Sequence, residues 1–229
     1  MRHAWRSFHL MMGLALGGFF ALLGLTGSVL VFYVELDRWQ HPSPALQGSV
    51  GVPLQAFVAR LATDFPARTG PWRLEFPADP AAPVTARYYK PPERADREFA
   101  PLLVTLDPVT ATVVRQRYWG DDWLTWTYDL HYTLLTDRPG RWVVGALGLC
   151  LLVSLLSGLR LAWRGWRNWR AALRLVPRKG PAKAVYDLHV TAGGYGAVVL
   201  LMLAVTGGVL ALPELVKPGL ERTSGLFKP

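Results

Sequence analysis

The chain has 229 residues, 51% hydrophobic and 18% charged, with a formal net charge of +9 and a pI near 10. It is too apolar for a disordered or nucleic-acid-coating tail and too poor in charge for an ordinary soluble domain. A single cysteine, Cys150, excludes an internal disulfide, and no CxxC or Cys/His cluster frames zinc or iron–sulfur, so any redox chemistry must use another group.

Leu10 to Val34, Trp142 to Leu159 and Leu188 to Pro213 run without a charge. A bilayer core of about 30 Å needs roughly 20 helical residues, so the first and third runs span it and the second does so with its flanks. Arg2 and Arg6 precede the first run as in a secretory signal, but its apolar stretch is too long and no small-x-small site follows closely, which predicts an uncleaved anchor.

The positive charge is concentrated in two segments. Arg2 and Arg6 lie before the first span, and the segment between the second and third spans, 160–187, is crowded with bases from Arg160 to Lys183 against one acid, Asp187. Residues 34–142 and the tail are close to balance. Basic loops stay inside, which predicts a multi-pass membrane protein with a cytoplasmic N terminus and its main domain outside. The excess is therefore a topological signal, and no nucleic-acid partner is expected. Trp163, Trp166 and Trp169 recur among the arginines, as expected of a helical extension at the headgroup level with guanidinium groups on anionic lipid.

In the outer segment, Leu54, Phe57, Val58 and Leu61 share one face of a helix over Pro53 to Thr63. Strands are predicted at Trp72 to Phe76, Val84 to Tyr89, Leu102 to Leu106 and Val113 to Arg117, the last two joined by the turn Asp107-Pro108-Val109-Thr110. The fold expected is an α-helical membrane protein with three transmembrane helices plus a small extracytoplasmic α+β domain. Its segments are 1–34 (N terminus and first helix), 35–130 (outer domain), 131–163 (outer lead-in and second helix), 164–187 (basic loop), 188–213 (third helix) and 214–229 (outer tail).

Sliding the chain by 180 positions aligns the first and third spans on the frame His-x3-Gly-x12-Thr-Gly-x-Val-Leu. His9, Gly13, Thr26 and Gly27 fall on His189, Gly193, Thr206 and Gly207. An imidazole at a membrane boundary is costly without a partner, and two facing helices with equivalent histidines can supply both axial ligands of a haem iron. The alternative is interfacial histidines bonded to lipid or backbone. Gly13 and Gly193, with Gly17 and Gly196 nearby, would let a flat macrocycle approach, or would serve helix packing. His131, in an aromatic stretch with Trp119, Trp123, Trp126, Tyr128 and Tyr132, and His41 lie outside. They could hold a second haem, with His41 otherwise a loop residue, and His3 is expected to face solvent. No GxGxxG follows a predicted strand, so flavin or nicotinamide chemistry lies elsewhere. The spans also lack the acids that ion-coupled transport uses.

These residues together resemble the PepSY-associated transmembrane proteins, also called iron-regulated membrane proteins, some of which act as ferric-siderophore reductases. The resemblance rests on His9-x3-Gly13, Thr26-Gly27, Asp107-Pro108-x-Thr110, Asp129-Leu130-His131 and Leu188-His189-x3-Gly193 to Thr206-Gly207, and covers nearly the whole chain. It implies a PepSY-like outer domain and haem b, with His9, His131 and His189 as iron ligands. The implied activity is electron transfer across the membrane to an extracytoplasmic ferric chelate, as a possible ferric-siderophore oxidoreductase. Longer members continue with a second outer domain and a fourth helix, so a short three-helix form is expected here. The competing expectation is a non-catalytic PepSY module, either a homo-oligomer or an accessory subunit of a larger membrane complex.

Overall fold

A computed structural model describes residues 2–42, 51–78, 82–163, 180–214 and 218. In chain order the elements are α1 (Arg2–Leu30), α2 (Tyr33–Gln40), α3 (Leu54–Asp64), β1 (Trp72–Glu75), β2 (Val84–Tyr88), a 3-10 turn (Pro92–Arg94), β3 (Leu102–Leu106), β4 (Val113–Tyr118), α4 (Trp123–Thr133), α5 (Asp137–Ala162) and α6 (Pro181–Ala211). They form two compact units, one of Met1–Leu25 with Tyr132–Pro229 and the other of Thr26–His131.

The first unit is helical. His3–Leu30, Asp137–Ala162 and Pro181–Ala211 are each long and apolar enough to cross a membrane. Helices α5 and α6 pack along each other through small residues, as expected where lipid is as apolar as the side chains and close backbone approach supplies the attraction. A Cβ on Gly145 would lie 2.6 Å from the Leu212 side chain, and one on Gly148 would lie 3.7 Å from the Ala204 carbonyl. Ser154, Ser157, Ala197, Ala204 and Ala211 are buried. At the Gly145 end of this seam Arg141 pairs with Glu214 at 2.7 Å, and the Tyr132 hydroxyl donates to the Leu210 carbonyl at 3.0 Å. The most apolar window of α1, by contrast, buries none of its residues. Its His9 reaches both α5 and α6, as described below.

A tight reversal joins α4 to α5. Leu134, Leu135 and Asp137 all have positive φ (48°, 62° and 53°), a conformation that costs a non-glycine residue roughly 1–2 kcal/mol. Helix α5 then passes so close that a Cβ on Gly140 would collide with the Thr133 carbonyl oxygen. Helix α5 ends at Ala162, with Trp163 already extended at φ −65° and ψ 115°. The rest of the expected tryptophan-arginine helix, residues 164–179, lies outside the described residues.

The second unit holds a four-stranded antiparallel sheet in the order β1-β2-β3-β4. Alternation builds it. Val84 and Ala86 of β2 and Leu102, Val104 and Leu106 of β3 point to one face, where they bury Phe57 and Leu61 of α3. The β3–β4 turn follows from Asp107, whose Oδ1 accepts from the amides of Val109 (2.7 Å) and Thr110 (3.1 Å). The other face carries Arg87, Leu103 and Arg117 in register, and Leu103 is also buried. Arg117 fastens α2 and the start of α4 to this face. Its guanidinium donates to Asp37 at 2.7 Å and to Asp122 at 2.5 Å, and Asp122 caps α4 through the amides of Leu124 and Thr125.

Gly140→Ala should destabilise the reversal by about 1–3 kcal/mol, the usual range for forcing a methyl into a filled space. The measurement is the thermal unfolding midpoint of the full chain in detergent, which should fall clearly, with Gly148→Ala, where the space is ordinary, as the mild control.

Candidate functional site

His9 projects from α1 onto α5. Its Nδ1 lies 2.9 Å from the Ser157 hydroxyl, and its Cε1 rests where a Cβ on Gly158 would sit only 2.9 Å away. Glycine therefore makes room for the ring at the place where serine bonds it. His189, an exposed residue of α6, brings its ring to within 6.0 Å of the His9 ring, centroid to centroid, at 56° between planes. Two of the three expected ligand histidines thus meet in the helical unit.

His131 belongs to the other unit, where the same kind of seat receives it. Its Nδ1 lies 3.0 Å from the Thr26 hydroxyl, and a Cβ on Gly27 would lie 2.9 Å from its Cε1. The internal repeat marked Thr26 and Gly27 as matching positions, and their work in the fold is to seat an imidazole. Around Gly13, Gly17 and Gly193, nothing lies within 4 Å of an added Cβ among the described residues. Those glycines leave open helix surface.

In the sequence no motif marks Ser157 or Gly158, which are distant in the chain from His9, and Asp129 and Asp187 carry no assigned role beside the histidines. Asp129 and Asp187 are 7% and 4% exposed, and each stands two residues before a candidate ligand in the repeated string Tyr-Asp-Leu-His-x-Thr, at Tyr128–Thr133 and Tyr186–Thr191. That repeat was the available signal. Asp129 accepts from Trp119 Nε1 at 2.8 Å and from Arg97 at 3.3 Å, while Asp187 pairs with Lys183 one turn earlier.

The aromatic stretch around His131 divides in two. Trp119 is 6% exposed, wedged edge-on between Tyr128 (5.1 Å) and Phe99 (5.3 Å) and stacked on Tyr33 at 6.4 Å. It is part of the core. Trp123 and Trp126 are exposed. Tyr33 sits deep enough that burial first, and Asp37 second, push its hydroxyl up to about 12.

His41 is part of the clamp. Its Nε2 lies 2.8 Å from Arg117 Nη1, and because a guanidinium can only donate, Nε2 accepts and the ring is neutral. Burial, then the Arg117 charge, hold its pKa below the usual 6.5. Burial by itself would raise Asp122, but the Thr125 amide and hydroxyl, with Arg117, outweigh it and hold that carboxyl low.

Among the described residues no group of three or more His, Cys, Asp or Glu converges. A self-sufficient metal site built from protein ligands is therefore not formed there, whereas two imidazoles suit a metal whose other ligands come from a macrocycle. The His9 and His189 rings, 6.0 Å apart, are near enough for both to reach one group held between them. An open recess of about 580 Å³ lined by Leu156, Leu159, Arg160 and Trp163 lies at the same end of α5 as Ser157.

Fold and site define a multi-pass membrane protein with one small sheet domain and histidines seated on its helices. Residues 6–226 match the PepSY-associated TM region, and the chain belongs to that family. It is also 36% identical over 87 residues to an uncharacterized protein of Pseudomonas aeruginosa, the match covering 38% of this chain and 21% of that protein.

Since the folded pKa of His41 is depressed, its contribution to stability is complete above pH 6.5 and is lost as pH falls from there through the folded value. Tryptophan-monitored unfolding of the full chain should show the sheet unit weakening below about pH 6.5. His41→Gln, which still accepts from Arg117 but does not titrate, should flatten that part of the profile.

Proposed function

We propose that this protein is a b-type haem electron carrier of the bacterial inner membrane that delivers electrons to an extracytoplasmic ferric chelate. The observation that supports this best is the His9–His189 pair, with rings 6.0 Å apart and His9 seated on Ser157 and Gly158. His9 and His189 would hold one haem and His131 would help to hold a second. Bound haem supplies a one-electron carrier whose potential is set by its axial ligands and their hydrogen bonds.

The protein's own residues supply position and environment. Ligands toward both faces of the membrane suit transfer across it. The charge pattern supports a cytoplasmic end at His9 and an outer end at His131. Arg160, in the recess beside Ser157, offers a cation for carboxylates carried on the macrocycle. Trp123 and Trp126 offer exposed aromatic surface for an iron chelate. The bare faces of α1 and α6 at Gly13, Gly17 and Gly193 suit further helices, from a second copy or a larger complex. The basic segment suits anionic lipid.

Protein purified from haem-replete cells should show sharp α and β bands in the visible after dithionite reduction. His9→Ala and His189→Ala should each remove the same component, and His131→Ala a different one. Reoxidation by a ferric chelate should follow on mixing. A colourless protein overturns the haem assignment, and bands unchanged in all three variants overturn the ligand set.

A further inference from the structure

The hydrogen bonds around Ser157 determine where the proton of His9 resides. Ser157 is 2% exposed, and its hydroxyl has one proton to give. That proton is committed to the Ser154 carbonyl, to which Oγ donates at 2.8 Å. A hydroxyl that has donated can only accept at its other contacts, so the 2.9 Å contact with His9 Nδ1 is a bond from Nδ1–H to the serine oxygen. In a neutral ring the proton on Nδ1 leaves Nε2 with a bare lone pair.

We infer that Ser157 is a positioning residue that fixes His9 as the Nδ1–H tautomer and so makes Nε2 the ligating nitrogen, an assignment that rests on the haem reading for its purpose but not for its geometry. Gly158 completes the device. A methyl there would press on Cε1, the carbon between the two nitrogens, and would turn the ring out of line with its acceptor. Metal-bound histidines commonly give their second ring N–H to such a partner, which orients the ring and raises its basicity. Thr26 with Gly27 presents the same pair of contacts to His131, so a hydroxyl residue followed by glycine serves twice as an imidazole seat, on different helices and in different units.

The test is made first without haem. Full-length chain with ¹⁵N-labelled histidine, from haem-deficient cells and held in detergent micelles, is examined by long-range ¹H–¹⁵N correlation, with His9 assigned by its loss in His9→Asn. The expected spectrum shows a protonated Nδ1 and a bare Nε2. Ser157→Ala should shift the ring toward the Nε2–H form, while Ser157→Thr should keep the parent pattern. A parent His9 with its proton on Nε2, or a Ser157→Ala ring identical to the parent, overturns the proposal. Haem-loaded protein gives the second readout: Ser157→Ala should retain haem with a raised midpoint potential, because an imidazole without its Nδ1–H acceptor is a weaker donor to ferric iron, and Gly158→Ala should retain haem less well. A chain that takes up no haem yet carries the Nδ1 proton overturns the haem reading alone. Haem uptake with the proton on Nε2 overturns the seat alone.

Discussion

A polar side chain carried into a lipid-facing helix must find its partner within the protein, because there is no water to supply one. In these helices the hydroxyls meet that demand with their own backbone. Thr206 donates to the Met202 carbonyl at 2.7 Å and Ser157 to the Ser154 carbonyl at 2.8 Å. A hydroxyl used this way retains its lone pairs and has no proton left, so it can be satisfied further only by a donor. An imidazole N–H is such a donor. The bond between His9 and Ser157 therefore settles two needs at once, and it ties α1, whose apolar window is otherwise unburied, to α5.

The sheet unit answers the same demand with charge. Arg117 lies on the face of the sheet opposite α3 and would be costly there if its guanidinium lacked partners. Asp37 of α2, Asp122 at the start of α4 and His41 after α2 together engage it. One arginine thereby sets the positions of both helices on that face. The arrangement also assigns His41 to structure, because a nitrogen that accepts from a guanidinium is not available to a metal.

Much of this was legible in the chain because it is local. Apolar run length marks the three candidate spans, short strand-forming runs and the Asp107-Pro108-Val109-Thr110 turn mark the sheet, and the Leu54, Phe57 and Leu61 spacing marks α3, since each depends on residues a few positions apart. The family likewise followed from an ordered set of short motifs. The seats were not legible, because Ser157 lies 148 residues from His9 and Thr26 lies 105 residues from His131. Nothing in a serine-glycine or threonine-glycine pair tells a reader that a ring will arrive there, and small residues in apolar helices usually mean packing. The glycines four residues after His9 and His189 drew attention through the repeat, yet the close contacts belong to Gly27 and Gly158.

The repeated hexapeptide Tyr-Asp-Leu-His-x-Thr explains how two of the histidines are aimed. On a helix, residues two apart point about 200° from each other at 3.6 residues per turn, so in Tyr-Asp-Leu-His the carboxylate and the imidazole occupy opposite flanks. In α4 the Asp129 flank is fixed by Trp119 and Arg97, and His131 is thereby directed to Thr26 and Gly27. In α6 the Asp187 flank is buried and paired with Lys183, and His189 faces His9. Lys183 lies on the same helix and turns with Asp187, so it is the burial of the carboxylate that opposes rotation of α6, since turning would carry the charge out into apolar surroundings. The aspartate thus orients its histidine through the helix axis without touching it. His9 has no such aspartate before it, and its orientation comes from the hydroxyl and glycine of a neighbouring helix instead.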